Sequence, residues 1–105
     1  MDTSTIFDGG ADQIKTDGAH KTFQVIPGVG PSISQNFIDL GLVRLASLRG
    51  QDPEQLYHDL CALRGVSVDR CVLYVFRLSV YFAENAVHDP ELLKWWNWKD
   101  RPHRT

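Results

Sequence analysis

Five residues in one short stretch carry the most legible chemistry of this sequence: Phe23, Ile26, Gly28, Gly30 and Ser34. An apolar pair precedes Gly-x-Gly, and a small residue follows four positions later. Two glycines permit a tight turn and leave no side chain between backbone amides and an approaching ligand. A helix beginning at once adds its unpaired N–H groups and the positive end of its dipole. A phosphate oxygen suits that combination. Ser34, being small, lets the helices on either side of the turn cross closely. The turn residues Gly28, Val29, Gly30 and Ser32, with Gln35 one turn on, are therefore the candidate anion contacts. The plain alternative is a helix-to-helix turn that binds nothing.

A second constellation lies near the other end. Trp95, Trp96 and Trp98 are interleaved with Lys94, Lys99 and Arg101. Aromatic rings among cations stack bases and neutralise phosphates, but a terminal tryptophan cluster also folds back to cap a small core, leaving one ring for a partner. Both readings stay open on sequence. His58 and Cys61, with Cys71 and His88, are four potential metal ligands, yet the set lacks the second close pair that zinc sites usually have. No metal site and no cofactor is expected. Asp52, Glu54 and Asp69 are explained as helix starts, and no nucleophile has a placed base, so no enzyme activity is expected either.

The elements that must position these residues all read as helices. Residues 1–19 form a polar arm without period. Order begins near His20, and Pro27 ends the first turn. Ser32 is the expected N-cap of a helix running to about Leu40, with Ile33, Phe37 and Leu40 on its apolar face and Gly41 as its stop. Residues 42–49 suffice for a short helix or turn closing at Gly50. Asp52-Pro53-Glu54-Gln55 is a strong start with capping-box spacing, for a helix that presents Leu56, Leu60 and Leu63 and stops at Gly65. Asp69 caps the longest helix, about 69–86, in which Arg70, Arg77 and Glu84 recur every seven residues as the solvated stripe. Asp89-Pro90-Glu91 restarts a short helix through the tryptophans. No stretch calls for a strand.

Length and composition fit one domain: 105 residues, 43% hydrophobic and 23% charged. The net charge of -2 argues against a strongly cationic nucleic-acid binder. Its distribution is polarised: Asp2, Asp8, Asp12 and Asp17 oppose only Lys15 at the front, whereas Lys94, Lys99, Arg101 and Arg104 outweigh Glu91 and Asp100 at the back. The longest apolar run, Cys71 to Phe76, is far short of the ~20 residues of a membrane span. No signal peptide opens the chain, so the expectation is a cytoplasmic protein with reduced thiols and no membrane contact.

Shifting the hairpin pattern along the chain gives a worn copy, in which Phe23 meets Leu60, Ile26 meets Leu63, Gly28 meets Gly65, Val29 meets Val66, Gly30 meets Ser67, Ser34 meets Cys71 and Phe37 meets Tyr74. The expected fold is all-α: a compact tandem helix-hairpin-helix domain of about five helices over residues 20–100, its second hairpin degenerate, followed by a basic tail at 101–105.

The sequence resembles the bacterial pathogenicity-locus family of small helix-hairpin-helix proteins from about Phe23 to Asp100. The resemblance rests on Ile26-Pro27-Gly28-Val29-Gly30-Pro31-Ser32, Gly50-Gln51-Asp52-Pro53-Glu54, Asp69-Arg70-Cys71-Val72-Leu73-Tyr74 and Lys94-Trp95-Trp96-Asn97-Trp98-Lys99-Asp100. It implies a helical domain with presumed nucleic-acid binding and no settled activity. The first hairpin is also similar to those of DNA polymerase beta and other repair proteins. That likeness implies phosphate contacts by the amides of Gly28, Gly30 and Ser32, and a monovalent cation at the carbonyls of Gln24, Ile26 and Val29. Repair hairpins often carry Lys or Arg early in the second helix, where this chain has Pro31, Ser32, Gln35 and Asn36. The expected function is weak, salt-dependent association with nucleic acid, DNA first, through the phosphate backbone. The alternative is a protein–protein interaction module that keeps the fold, has lost DNA contact and engages a partner through Trp95, Trp96 and Trp98.

Overall fold

The computed structural model describes residues 18–99, all of whose regular structure is helical. The polar arm up to residue 17, Arg101 and the basic tail at 101–105 lie outside the described residues. A first helix, α1, spans 18–23, so Gly18 and Ala19 already belong to it. α2 (Pro31–Asp39), α3 (Pro53–Arg64) and α4 (Arg70–Glu84) follow, with 3-10 helices at Leu45–Leu48, Pro90–Leu93 and Trp95–Trp98. No helix among the described residues is long and apolar enough to cross a membrane.

Helix ends follow the local chemistry, with two corrections. α2 begins two residues earlier than expected: Gly30 is its N-cap, Pro31 its first residue, and Ser32 is an exposed helical residue that caps nothing. The fixed φ of proline suits a first helical position and makes a side-chain cap unnecessary there. At the other end Leu42 N–H donates to the Phe37 carbonyl and Gly41 N–H to that of Ile38, both 2.9 Å. With Gly41 at φ 90° this is a Schellman stop. Asp52 caps α3 by accepting from Glu54 N–H, 3.0 Å. The capping box stays open, because the Gln55 amide donates instead to Asp59, one helical turn on. Asp69 and Asp89 cap their helices in the same manner, accepting from Cys71 and Glu91 N–H.

α4 is the central pillar, packed against α3, the first 3-10 helix and the C-terminal pair of 3-10 helices. Leu73, Val75, Phe76, Leu78, Val80 and Ala83 are all buried on it. Phe76 stacks on Phe37, which in turn contacts Phe23, each pair at 4.9 Å between ring centroids. Three rings from α1, α2 and α4 thus form the core beneath the hairpin.

The expected solvated stripe is interrupted. Arg70 and Glu84 are exposed, but Arg77 is only 9% exposed. Neighbours cover α4 on that side too, and the charge survives burial because Arg77 is paired with Glu54 and hydrogen-bonded to two carbonyls. On α3 the buried face is Pro53, Leu56, Tyr57 and Leu60, whereas Leu63 is 54% exposed. A step of seven from Leu56 falls beyond the covered face once the helix nears its C-terminus.

Candidate functional site

The turn that the sequence reads as a hairpin runs from Gln24 to Gly30 between α1 and α2, and its two glycines have different physical roles. Gly28 has φ +87°, a conformation open to glycine at no steric cost. A Cβ at Gly28 would also stand 3.4 Å from Cδ1 of Trp95. Gly30 adopts extended backbone at φ −100°, and a Cβ there would meet nothing within 4 Å. Neither backbone nor packing therefore requires glycine at 30, and the space beside it is open.

Among the described residues the amides of Gly28, Gly30 and Ser32 make no hydrogen bond within the fold. Val29 differs: its side chain is buried and its N–H donates to the Ile26 carbonyl at 3.1 Å. Of the three carbonyls that resemblance assigns to a cation, that of Ile26 is thus already engaged once. Those of Gln24 and Val29 accept nothing among the described residues.

Polar groups behind the turn form one chain across three helices. The His20 ring bridges Ser34 Oγ and Gln35 Oε1, and Ser34 Oγ donates to the Pro31 carbonyl at 3.0 Å. Gln35 Nε2 donates to Asp39 at 2.8 Å, and Arg64 from α3 donates to both Asp39 and Asn36 at 2.8 Å. The Arg64 guanidinium, with the Gln35 amide, lowers the Asp39 carboxyl pKa below its ordinary value. Gln35, a candidate contact on sequence, thus has its amide engaged on both sides. Ser34, fully buried, joins α1 to α2. Arg64 supplies the cation that the second hairpin helix lacks, and Asp39 neutralises it. A sequence signal for that arrangement was weak, since α3 is distant in the chain and the contact is tertiary.

The tryptophans separate by role. Trp98 is 2% exposed, donates through Nε1 to the Leu92 carbonyl at 2.8 Å and packs against Tyr81. Trp95 is half-buried over Gly28, which brings the C-terminal segment against the hairpin turn. Trp96 is 56% exposed and meets Trp95 edge-on, with centroids 5.7 Å apart. Arg77 holds this segment in place. Its Nε donates to Glu54 at 2.7 Å, and its Nη1 donates to the carbonyls of Trp98 at 2.7 Å and Lys99 at 3.1 Å. Sequence placed Arg77 in solvent and so missed this latch. Lys94 is exposed and paired with Glu91 at 3.0 Å; Lys99 is exposed.

The second turn repeats only part of the first. Gly65 has φ +73°, like Gly28. However, α3 continues to Arg64, whereas α1 ends at residue 23, so Leu63 and Cys71 are exposed where Ile26 and Ser34 are buried. Tyr57 OH donates to the Val68 carbonyl and Val68 N–H donates to Cys61 Sγ, which braces the turn internally. Cys71 is a free thiol in water, and the neighbouring Asp69 carboxylate raises its pKa and thereby disfavours the thiolate. No group of three or more His, Cys, Asp or Glu side chains stands together as metal ligands among the described residues.

Comparison with known proteins adds two matches. A family model described as "Pathogenicity locus" matches residues 16–104. The mitomycin resistance protein McrB of Streptomyces lavendulae is 32% identical over 83 residues, covering 79% of this chain and 73% of that protein. No solved structure gives a significant match.

Proposed function

Starting from a chain that belongs to the pathogenicity-locus family, we propose that it associates with nucleic acid through the phosphate backbone, with little sequence preference. The observation that carries this reading is the pair of glycines. Gly28 is needed by the turn itself, whereas Gly30 answers no internal requirement and stands in open space beside the unengaged amides of Gly28, Gly30 and Ser32. A side chain at 30 would obstruct a ligand, and its absence lets the phosphate meet backbone N–H groups at the start of α2.

The test is a titration of fluorescent duplex and single-stranded DNA at low and moderate salt, comparing wild type with Gly30→Asp. Binding that weakens with salt and is lost in the variant supports the reading. No binding at low salt, or binding indifferent to salt and to the substitution, sinks it.

One observation favours a second reading, a protein-interaction module that keeps the fold. Three cations near the candidate surfaces are already paired: Arg64 with Asp39, Arg77 with Glu54 and Lys94 with Glu91. Coulombic attraction normally supplies much of the affinity for nucleic acid. The same titration separates the two readings, since a module of this kind leaves both DNA probes free at every salt concentration.

A further inference from the structure

Trp96 carries the largest exposed apolar side chain among the described residues, and the fold around it is tightly held. Trp98 beside it is anchored in the core through the Leu92 carbonyl. Asn97 donates to the Glu91 carbonyl at 2.7 Å, and Arg77 clamps the carbonyls of Trp98 and Lys99. Trp95 lies against Gly28 and supports the Trp96 ring edge-on. Core capping is accomplished by Trp98 and in part by Trp95, so burial accounts for two of the three rings and leaves Trp96 unexplained.

We propose that Trp96 is a stacking platform for an unpaired base of single-stranded nucleic acid, placed so that a strand whose phosphate meets the hairpin turn lays a neighbouring base on this ring. The inference rests on the phosphate-backbone reading above and adds the class of nucleic acid. A free indole face suits any base, because every base presents a π-surface. Bases inside a duplex are already stacked and cannot reach a protein ring without being extruded. Trp95 stands between the ring and the turn, since it meets Trp96 edge-on and lies 3.4 Å from where a Cβ on Gly28 would be. Lys94 and Lys99 flank the tryptophans in the same segment; Lys94 is paired with Glu91, and Lys99 is exposed. A rigidly mounted ring binds without the ordering cost of a mobile one.

The experiment compares two fluorescent strands of about 16 nucleotides at low salt by anisotropy: oligothymidylate and a strand of the same length made wholly of abasic sites. The abasic strand keeps the phosphates and removes the bases. Wild type is expected to bind oligothymidylate about tenfold more tightly than the abasic strand. Trp96→Ala should bind both strands at the abasic level, and Trp96→Tyr should keep part of the preference. Far-UV circular dichroism checks that each variant is folded, as the exposed ring predicts. Equal binding of both strands by wild type, or a preference that survives in Trp96→Ala, overturns the platform and leaves the phosphate reading standing. Failure of wild type to bind either strand overturns the platform, and overturns the phosphate reading as well when duplex DNA is not bound at low salt.

Discussion

Gly28 and Gly30 look alike in the sequence, yet the physics at the two positions differs. An L side chain at φ +87° is strained, and here its Cβ would also come into close contact with Trp95, 3.4 Å away. Gly28→Ala is therefore expected to lower unfolding free energy by about 1–2 kcal/mol. Gly30→Ala meets neither obstacle and should stay within about 0.5 kcal/mol of wild type. Urea denaturation of the two variants checks both values. A destabilisation at 30 as large as that at 28 would mean that Gly30 serves the fold, and would remove the observation on which the phosphate reading depends. The substitution at 30 is the more informative for binding, because a change in affinity there is not confounded by a change in stability.

The C-terminal 3-10 helices are too short to hold themselves in water, so their position must come from contacts elsewhere. Arg77 provides two of these contacts from the middle of α4, to the carbonyls of Trp98 and Lys99, while the same planar guanidinium also serves the Glu54 carboxylate of α3. Glu54 is 37% exposed, so water would partly rehydrate it if Arg77 were lost, whereas the covered Trp98 carbonyl would lose its donor. Arg77→Met is expected to cost about 2–4 kcal/mol and to change the near-ultraviolet circular dichroism of the tryptophans. A variant of unchanged spectrum would show that the segment is held by apolar packing alone. α4 also illustrates how helix ends are completed by their neighbours. Its last carbonyls receive Asn85 at Tyr81, His88 at Phe82 and Arg49 at Ala83. Those partners come from the chain on both sides of the helix, including one that lies 34 residues earlier.

For the molecule as a whole, charge decides how strongly a polyanion is attracted. The net charge is -2, and the pairing of Arg64, Arg77 and Lys94 with carboxylates leaves few cations to displace counterions. If association with DNA occurs, the slope of log K against log salt concentration should be shallow, about -1 to -2. A slope steeper than about -4 would show that the paired cations are recruited on binding. A shallow slope also makes the non-electrostatic contacts, amides at the turn and the ring of Trp96, the larger share of whatever specificity exists.

Local chemistry was enough to read the helix starts at Asp52-Pro53, Asp69 and Asp89-Pro90, the glycine stops at 41, 50 and 65, and the family, since each depends on a few neighbouring residues. It also located the turn between α1 and α2, whose glycine spacing is a local property. Where each side chain faces was legible only while helical period and burial agreed. They disagreed at Leu63, which the period buries and the end of α3 exposes, and at Arg77, which the period exposes and the neighbouring elements cover. The separate fates of Trp95, Trp96 and Trp98, and the seating of Trp95 on Gly28, join parts of the chain almost seventy residues apart. No spacing rule reaches that far, because such contacts are set by how the helices pack around α4 and not by the sequence beside them.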